Sequence, residues 1–116
     1  MRTCVRLGGQ FWAPQKEDKT DDLPLCFFGA AGIGAHALLS FRTGQGPYQA
    51  IRVYKTTSGK TCEHAGAVTV RGQDTNGQTF EVCEFRDGSL IERNTLLRGL
   101  GSGANAGLDQ VLGSTF

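Results

Sequence analysis

The sequence predicts a small α+β protein built from two related halves, each a short helix, a β-hairpin and a short C-terminal helix stapled by a disulfide. The chain has 116 residues, enough for one ordinary domain or two very small ones, and units of half this length usually need covalent or metal staples. Its 17 glycines indicate frequent turns and short elements. Its four cysteines and a recurring residue pattern indicate the staples and the two halves.

The recurring pattern is a set of matching residues in the same order. Thr-Cys, three residues and Gly occur at 3–8 and again at 61–66. In each half a β-prone stretch, a polar turn and a second cysteine follow, and each half ends in a Leu-Leu pair. We interpret this order as a duplication: 1–44 is a degenerate first repeat, 45–58 a linker or connecting strand, 59–100 the second repeat and 101–116 a Gly- and Ser-rich tail. The alternative is a chance match between two hairpins of one domain.

The second half has the clearer local signals. A helical turn at 60–65 with Ser58 as its cap is expected. Strands are then predicted at 68–71 and 78–85 around a Gln-Asp-Thr-Asn-Gly turn. The Asp87-Gly88-Ser89 turn follows, and 90–98 is predicted as a strand that continues into a helix.

The first half and the connecting segments are less regular. A helical turn at 2–7, a glycine-rich loop at 29–34 and a helix at 35–41 are predicted. Over 48–55 a strand that connects or covers the two halves is predicted. Its alternate positions are Tyr48, Ala50, Arg52 and Tyr54 on one side and Gln49, Ile51, Val53 and Lys55 on the other. The tail is expected to contain at most one helical turn, near 108–112.

Several fixed spacings between 61 and 99 match a known pattern. They are Cys62 with Gly66, Cys83-x-Phe85-x-Asp87-Gly88-Ser89, Glu92 and Leu96-Leu97-Arg98-Gly99. This stretch resembles a bacterial family of unknown function, small exported proteins and lipoproteins described as putative hemolysins, and 3–44 looks like a degenerate copy. Members often have further cysteines after the Asp-Gly-Ser turn and after Arg-Gly, where this chain has Ile91 and a cysteine-free tail. The resemblance implies export and a bacterial envelope setting, but neither a disulfide pattern nor catalytic residues.

The cysteines allow several pairings. The duplication favours Cys4–Cys26 and Cys62–Cys83, because each half then closes one loop of similar length, and each bond should stabilise the fold by roughly 3 kcal/mol. Zinc held by Cys62, His64 and either Cys83 or His36 is a rival, but the close cysteine spacing of structural zinc sites is absent. A cysteine nucleophile with His36 or His64 as base is another rival, without a third orienting group. We therefore predict no metal, no cofactor and no catalytic residue.

Composition and charge narrow the function further. The net charge is +1 with scattered basic residues, so no nucleic-acid surface is expected, and no apolar run approaches the roughly 18 residues of a membrane span. Paired cysteines favour a periplasmic or secreted protein whose leader peptide has been removed. The alternative is a cytosolic protein with four free thiols.

Two further patterns are interpreted structurally. Gly29-x-x-Gly32-x-Gly34 hints at a phosphate-binding loop, but it lacks the remaining residues of such motifs and is read as a tight packing turn. The carboxylates suggest an acid/base pair, but Asp87 is better explained as a turn former. The carboxylates considered are Glu81, Glu84, Asp87 and Glu92.

The predicted function is binding of another protein, and no enzymatic activity is expected. An inhibitor or immunity protein against an envelope-acting enzyme would suit a small rigid scaffold with a charged hairpin tip. Aromatic anchors beside that tip are expected, with Phe11 and Trp12 open to a core interpretation. The partner-binding candidates are Trp12, Lys16, Glu17, Asp18, Lys19, Asp21, Asp22, Tyr48 and Tyr54. The alternatives are a thiol-dependent hydrolase using Cys62 or Cys26 and a structural envelope component.

Overall fold

The computed structural model describes residues 2–17, 21–57 and 59–113. Helices and strands are mixed along the chain, so the α+β prediction is confirmed. The elements in chain order are α1 (Arg2–Arg6), β1 (Gln10–Trp12), β2 (Gln15–Lys16), β3 (Leu25–Phe28), β4 (Ala31–Gly34), α2 (Ala35–Thr43), α3 (Gln49–Thr57), β5 (Val68–Gln73), β6 (Thr79–Glu84), β7 (Leu90–Glu92), α4 (Arg93–Arg98), a 3-10 turn (Gly103–Asn105) and α5 (Ala106–Gly113).

The strands of the described residues form one curled antiparallel sheet in the order β1-β3-β4-β7-β6-β5-β2. The two halves meet at its centre, where Ile33 of β4 pairs with Ile91 of β7. The strands at its two ends, β1 and β2, are consecutive in the chain and are separated only by Ala13 and Pro14. The sheet therefore curls round until its ends meet at this short segment.

Successive side chains of a strand point to opposite faces of the sheet, and apolar side chains on the two faces form two separate clusters. The outer face packs against the helices in the larger core, which includes Cys26 and Ile33 from the first half and Cys83 and Ile91 from the second. The inner face of the curled sheet holds a smaller cluster: Leu23, Leu25, Val82 and Leu90, with Phe27, Val70 and Phe80 packed against it. Because both halves contribute to both regions, they form a single folding unit rather than two separate modules.

The two disulfides join Cys4 to Cys26 and Cys62 to Cys83. All four cysteines are fully buried. The predicted pairing is confirmed. One bond joins α1 to β3, and the other joins the turn before β5 to β6.

The glycine-rich segment of the first half is a central strand rather than a loop. Only the turn before it, at Gly29, has a positive φ, of 66°. Within β4, a Cβ on Gly34 would lie 2.8 Å from the carbonyl oxygen of Leu90, and one on Gly32 would lie 2.7 Å from the Phe27 ring. These glycines are explained by the tight interior of the curled sheet, so the predicted loop is wrong and the phosphate-loop reading has no basis here.

The predicted strand at 48–55 is also wrong, because this segment is helix α3. Ala50, Ile51 and Tyr54 share one face of the helix and are fully buried. The helix begins against the Asp87-Gly88-Ser89 turn: the Gln49 N–H donates to Asp87 Oδ2 at 2.9 Å and the Ala50 N–H to Ser89 Oγ at 2.8 Å. The start of the helix is thus capped from a distant turn, which local alternation does not reveal.

The region predicted as a loose tail is part of the fold as far as Gly113. Leu108 and Leu112 of α5 lie in the larger core. The fully buried Asn105 side chain donates to the carbonyls of Thr95 and Gly99, at 2.9 and 3.0 Å. These contacts fix α5 to the rest of the second half.

Other local predictions have mixed outcomes. The β5–β6 hairpin, the Asp-Gly-Ser turn and the strand that runs into α4 are confirmed. The predicted helical turn at 60–65 is present as one turn, in which the Ala65 N–H donates to the carbonyls of Thr61 and Cys62, and it does not extend into a helix. The expected cap, Ser58, lies outside the described residues. The predicted helix–hairpin–helix pattern is only approximate: among the described residues, 1–44 contain α1, four strands and α2, and 59–100 contain three strands and α4.

Candidate binding surface

Two neighbouring grooves flank the segment that closes the curled sheet. The first groove, of about 510 Å³, runs between this segment and the turn of the β5–β6 hairpin. The second, of about 610 Å³, opens on its other side. The first is lined by Phe11, Trp12, Ala13, Pro14, Gln15, Lys16, Glu17, Asp22, Gln73, Asp74 and Thr75. The second is lined by Phe11, Ala13, Lys16, Asp21, Asp22, Leu23, Pro24, Gly34, His36, Ala37, Glu84, Gly88, Ser89 and Leu90. We call the two grooves together the β1–β2 surface.

Two adjacent aromatic side chains stand on this surface. Phe11 is 39% exposed and Trp12 is 38% exposed. Their backbone is held in place because β1 pairs with β3, with Phe11 opposite Cys26, and Cys26 is disulfide-bonded to Cys4. Neighbouring residues of a strand point to opposite sides, and both sides of β1 are open to solvent. The strand thus presents two aromatic side chains on a rigid backbone.

The charged segment of the first half is a hairpin beside these aromatics. The Lys16 N–H donates to the Asp21 carbonyl and the Leu23 N–H to the Pro14 carbonyl, both at 2.7 Å. Gln15 also pairs with Asp22. Backbone hydrogen bonds therefore join the two described arms of this hairpin, residues 15–17 and 21–23. The predicted candidates Asp18 and Lys19 lie outside the described residues.

Carboxylates outnumber basic side chains on this surface. Lys16 is the only lysine or arginine among the described residues that line it, and its Nζ lies 3.7 Å from Glu84 Oε1. Glu17 forms an exposed ion pair with Arg71, also at 3.7 Å. The acidic residues that line the two grooves are Glu17, Asp21, Asp22, Asp74 and Glu84. The surface is acidic although the net charge of the chain is +1.

The structure separates the two predicted tyrosine anchors from this surface. Tyr54 is fully buried and its hydroxyl donates to Asp109 Oδ1 at 2.5 Å. Burial, and then this hydrogen bond, raise the pKa of Tyr54. Its prediction as a partner contact is wrong because α5, predicted only as part of the tail, covers it. Tyr48 is partly exposed, packs on the Phe41 ring at 5.9 Å and lines neither groove.

The four carboxylates considered as a possible acid/base pair do not form one. Two of them cap helices, and Glu81 and Glu84 line different grooves. Glu92 is buried and caps α4, accepting the N–H groups of Asn94 and Thr95 at 2.9 Å. Asp87 caps α3. Its partial burial raises its pKa, but the hydrogen bonds from Ser89 and Gln49 outweigh that effect and hold the pKa below the ordinary value. Of the four, Glu84 alone both lines the β1–β2 surface and pairs with its lysine.

The described residues provide neither a free thiol for catalysis nor a cluster of metal ligands. All four cysteines are in disulfides, so none is a free thiolate. His36 and His64 are exposed. Within the described ranges, no group of three or more His, Cys, Asp and Glu side chains is arranged to hold a metal ion.

Sequence reasoning missed the far wall of the first groove and one residue that shapes it. Asp74 and Gln73 come from the other half of the chain, brought in because β2 pairs with β5, with Gln15 opposite Gln73. At Gly72 a Cβ would lie 2.7 Å from Leu23 Cδ1, so this glycine lets the closing segment approach β5. Gly72 lies directly after the strand predicted at 68–71 and was interpreted as the start of the turn, whereas β5 continues to Gln73.

Comparison with protein-family models, curated proteins and solved structures finds no match for this chain. The resemblance of residues 61–99 to the putative-hemolysin family thus stays a hypothesis. In the described part of the chain, no helix has the length and apolar character needed to cross a bilayer.

Proposed function

We propose that the protein is an exported module that binds another protein through the β1–β2 surface. The observation that carries the proposal is the pair Phe11 and Trp12, adjacent aromatic side chains exposed on a strand fixed by pairing and by a disulfide. Aromatic side chains on a rigid backbone lose little conformational entropy on binding and often dominate interface energies. Here they stand beside a charged hairpin and between two grooves.

Export is supported by the disulfides. Such bonds persist in oxidising compartments and are rare in the cytosol, and both are fully buried within the core of this protein. A periplasmic or extracellular setting fits this chemistry. We propose the periplasm or the secreted fraction of a bacterium, in line with the family resemblance.

Within that setting we propose a role as an inhibitor of, or immunity protein against, an envelope-acting enzyme. The described arms of the hairpin, residues 15–17 and 21–23, carry charged side chains beside the aromatic anchors, which suits contact with an enzyme cleft. The thiol-dependent hydrolase would need a free thiolate, and no observation favours the structural envelope role over binding.

We also propose that the two halves arose by duplication. Ile33 and Ile91, which pair at the centre of the sheet, stand at equal distances along the chain from Cys4 and Cys62. The helix following each half covers a turn of the other: α3 begins on Asp87 and Ser89, while a Cβ on Gly107 of α5 would lie 3.3 Å from Phe28 Cβ. A chain with 61–116 in two tandem copies should fold with one disulfide per copy, and a persistently unfolded oxidised chain would contradict duplication.

The binding proposal is tested by affinity capture from a bacterial envelope extract with the oxidised protein. Wild type and the variants Phe11→Ala and Trp12→Ala are compared with the control Leu97→Ala, which removes a side chain of similar exposure (40%) on α4. The proposal predicts a defined species retained by wild type and control and lost with either aromatic variant. Equal retention by all four proteins, or nothing above background, would refute it.

A further inference from the structure

We infer that the partner presents an extended cationic segment, whose lysine or arginine side chains lie against Trp12 in the first groove and pair with the surrounding carboxylates. This inference rests on the proposed function, since it specifies what the β1–β2 surface binds. It commits to a basic protein segment rather than to an anionic polymer or a second copy of this chain.

Charge is unevenly distributed over the described residues. They include all of the 11 acidic residues of the chain except Asp18, and five of these line the two grooves. They include all of the 12 lysines and arginines except Lys19, and one of these, Lys16, lines the grooves. These carboxylates lie together on one surface, and charges are screened only beyond about 8 Å at physiological ionic strength. They therefore attract a basic partner jointly and repel nucleic acids and other polyanions.

Three of these carboxylates, those of Glu17, Asp21 and Asp22, are available to a partner. Asp21 and Asp22 are exposed, and neither forms an ion pair with a described residue. The pair between Glu17 and Arg71 is largely solvent-exposed, and such pairs contribute little to stability. A cationic side chain of the partner can therefore engage Asp22 directly and displace Arg71 from Glu17 at small cost.

The first groove combines aromatic and polar lining. Trp12 and Pro14 line it together with the polar residues Gln73 and Asp74. A lysine or arginine suits this arrangement because its aliphatic stem packs on aromatic surface while its charged end reaches carboxylates. A purely apolar side chain would not engage the carboxylate of Asp22, which also lines this groove.

The backbone of β1 has an unpaired edge. This strand stands at one end of the strand order and pairs only with β3 among the described strands. Its residues Phe11 and Trp12 line the first groove together with residues 73–75. Strand edges of this kind recognise extended segments through main-chain hydrogen bonds, with side-chain pockets adding specificity. The cationic segment is therefore expected to bind in extended form.

The test uses the single tryptophan of the chain, Trp12, as the reporter. The oxidised full-length protein is titrated with a synthetic decapeptide of alternating arginine and threonine, and with the same peptide carrying glutamate for arginine, and Trp12 emission is followed. The inference predicts a saturable emission change with the arginine peptide alone, weakening as salt rises. No binding of the arginine peptide, or equal binding of both peptides, would overturn it.

Charge variants locate the contact. Asp22→Lys should weaken arginine-peptide binding roughly tenfold, because it replaces an attraction by a repulsion at the groove. The matched control Glu81→Lys reverses an exposed acid that lines a different groove and should change the affinity by less than about twofold. Thermal melts verify that both variants are folded, and equal losses in the two variants would overturn the inference.

Failure of this inference is distinguishable from failure of the proposed function. If a captured envelope protein is lost with Trp12→Ala but bound unchanged by Asp22→Lys, protein binding at this surface stands and its cationic specificity falls. If Trp12→Ala leaves capture unchanged, the proposed function itself falls.

Discussion

The first strands of the two halves follow different courses. In the second half, β5 runs without interruption over Val68–Gln73 and pairs with β6 along its whole length. In the first half the chain is divided at Ala13 and Pro14 into β1, which pairs with β3, and β2, which pairs with β5, so that the two short strands stand at opposite ends of the strand order. Proline cannot donate a ladder hydrogen bond, so the strand changes partner there. The difference teaches that the first half gives up strand regularity where the candidate binding surface lies.

The turns before β4 and β7 show a second contrast. Asp87 and Ser89 accept hydrogen bonds from the first amides of α3. The turn at Gly29 has no such side chains and meets α5 by close packing instead, with Gly107 against Phe28. Side-chain caps from Asp87 and Ser89 therefore hold α3 over one turn, whereas close packing of Gly107 against Phe28 holds α5 over the other.

The largest expected effect comes from removing the disulfides in turn. Cys4→Ala/Cys26→Ala and Cys62→Ala/Cys83→Ala should each lower the free energy of unfolding by about 3 kcal/mol, because the sequence separations, 22 and 21, are nearly equal. Urea unfolding measures this quantity. Trp12 emission in native protein should change only when the Cys4–Cys26 bond is removed, since Cys26 lies opposite Phe11. An emission shift of equal size in both variants would contradict the claim that only the Cys4–Cys26 bond supports the backbone beside Trp12.

An intermediate effect is expected from Asp87→Ala. Loss of a helix cap should lower the free energy of unfolding by about 1 kcal/mol at neutral pH. The native state holds the pKa of Asp87 below its ordinary value, so this contribution is present above the pKa of the unfolded chain and disappears as the pH falls through the folded-state pKa. The gap between wild type and variant should therefore narrow on acidification. Glu81→Gln, which removes an exposed charge, serves as the control, and a gap independent of pH would argue against the capping role.

The smallest effect on stability is expected at the aromatic pair. Phe11→Ala and Trp12→Ala should each change the free energy of unfolding by at most about 1 kcal/mol, because both side chains keep over a third of their surface exposed. The same chemical-denaturation series measures it, followed for Trp12→Ala by circular dichroism. A loss of about 3 kcal/mol or more, typical of a buried aromatic, would identify the pair as core rather than contact residues.

The sequence predicted those features whose signals are local or repeated. The disulfide pairing followed from the recurring spacing of Cys4 and Cys62, and the β5–β6 hairpin followed from its turn residues. The closure of the sheet could not be predicted from local signals, because it depends on the pairing of Gln15 with Gln73, which lies in the other half of the chain. The helical conformation of α3 was not predicted, because Ala50 and Tyr54 fit the alternation of a strand as well as one face of a helix. Only the distant partners Asp87 and Asp109 distinguish the two.

The candidate surface was anticipated in part. Trp12, Lys16, Glu17, Asp21 and Asp22 were predicted from the charged hairpin and the aromatic residues before it, and the structure brings them together. The acidic character of the site was not predicted, since Asp74 and Glu84 reach it only through the curl of the sheet.

Acrylamide quenching of the single tryptophan gives the most direct check on the idea that Trp12 stands at a contact surface. The free oxidised protein should show readily quenched emission, because Trp12 is 38% exposed. Addition of the captured partner should shield Trp12 and lower the quenching constant several-fold, while the complex formed by the Leu97→Ala variant should behave identically. Emission that is inaccessible before binding, or equally accessible before and after, would contradict the account.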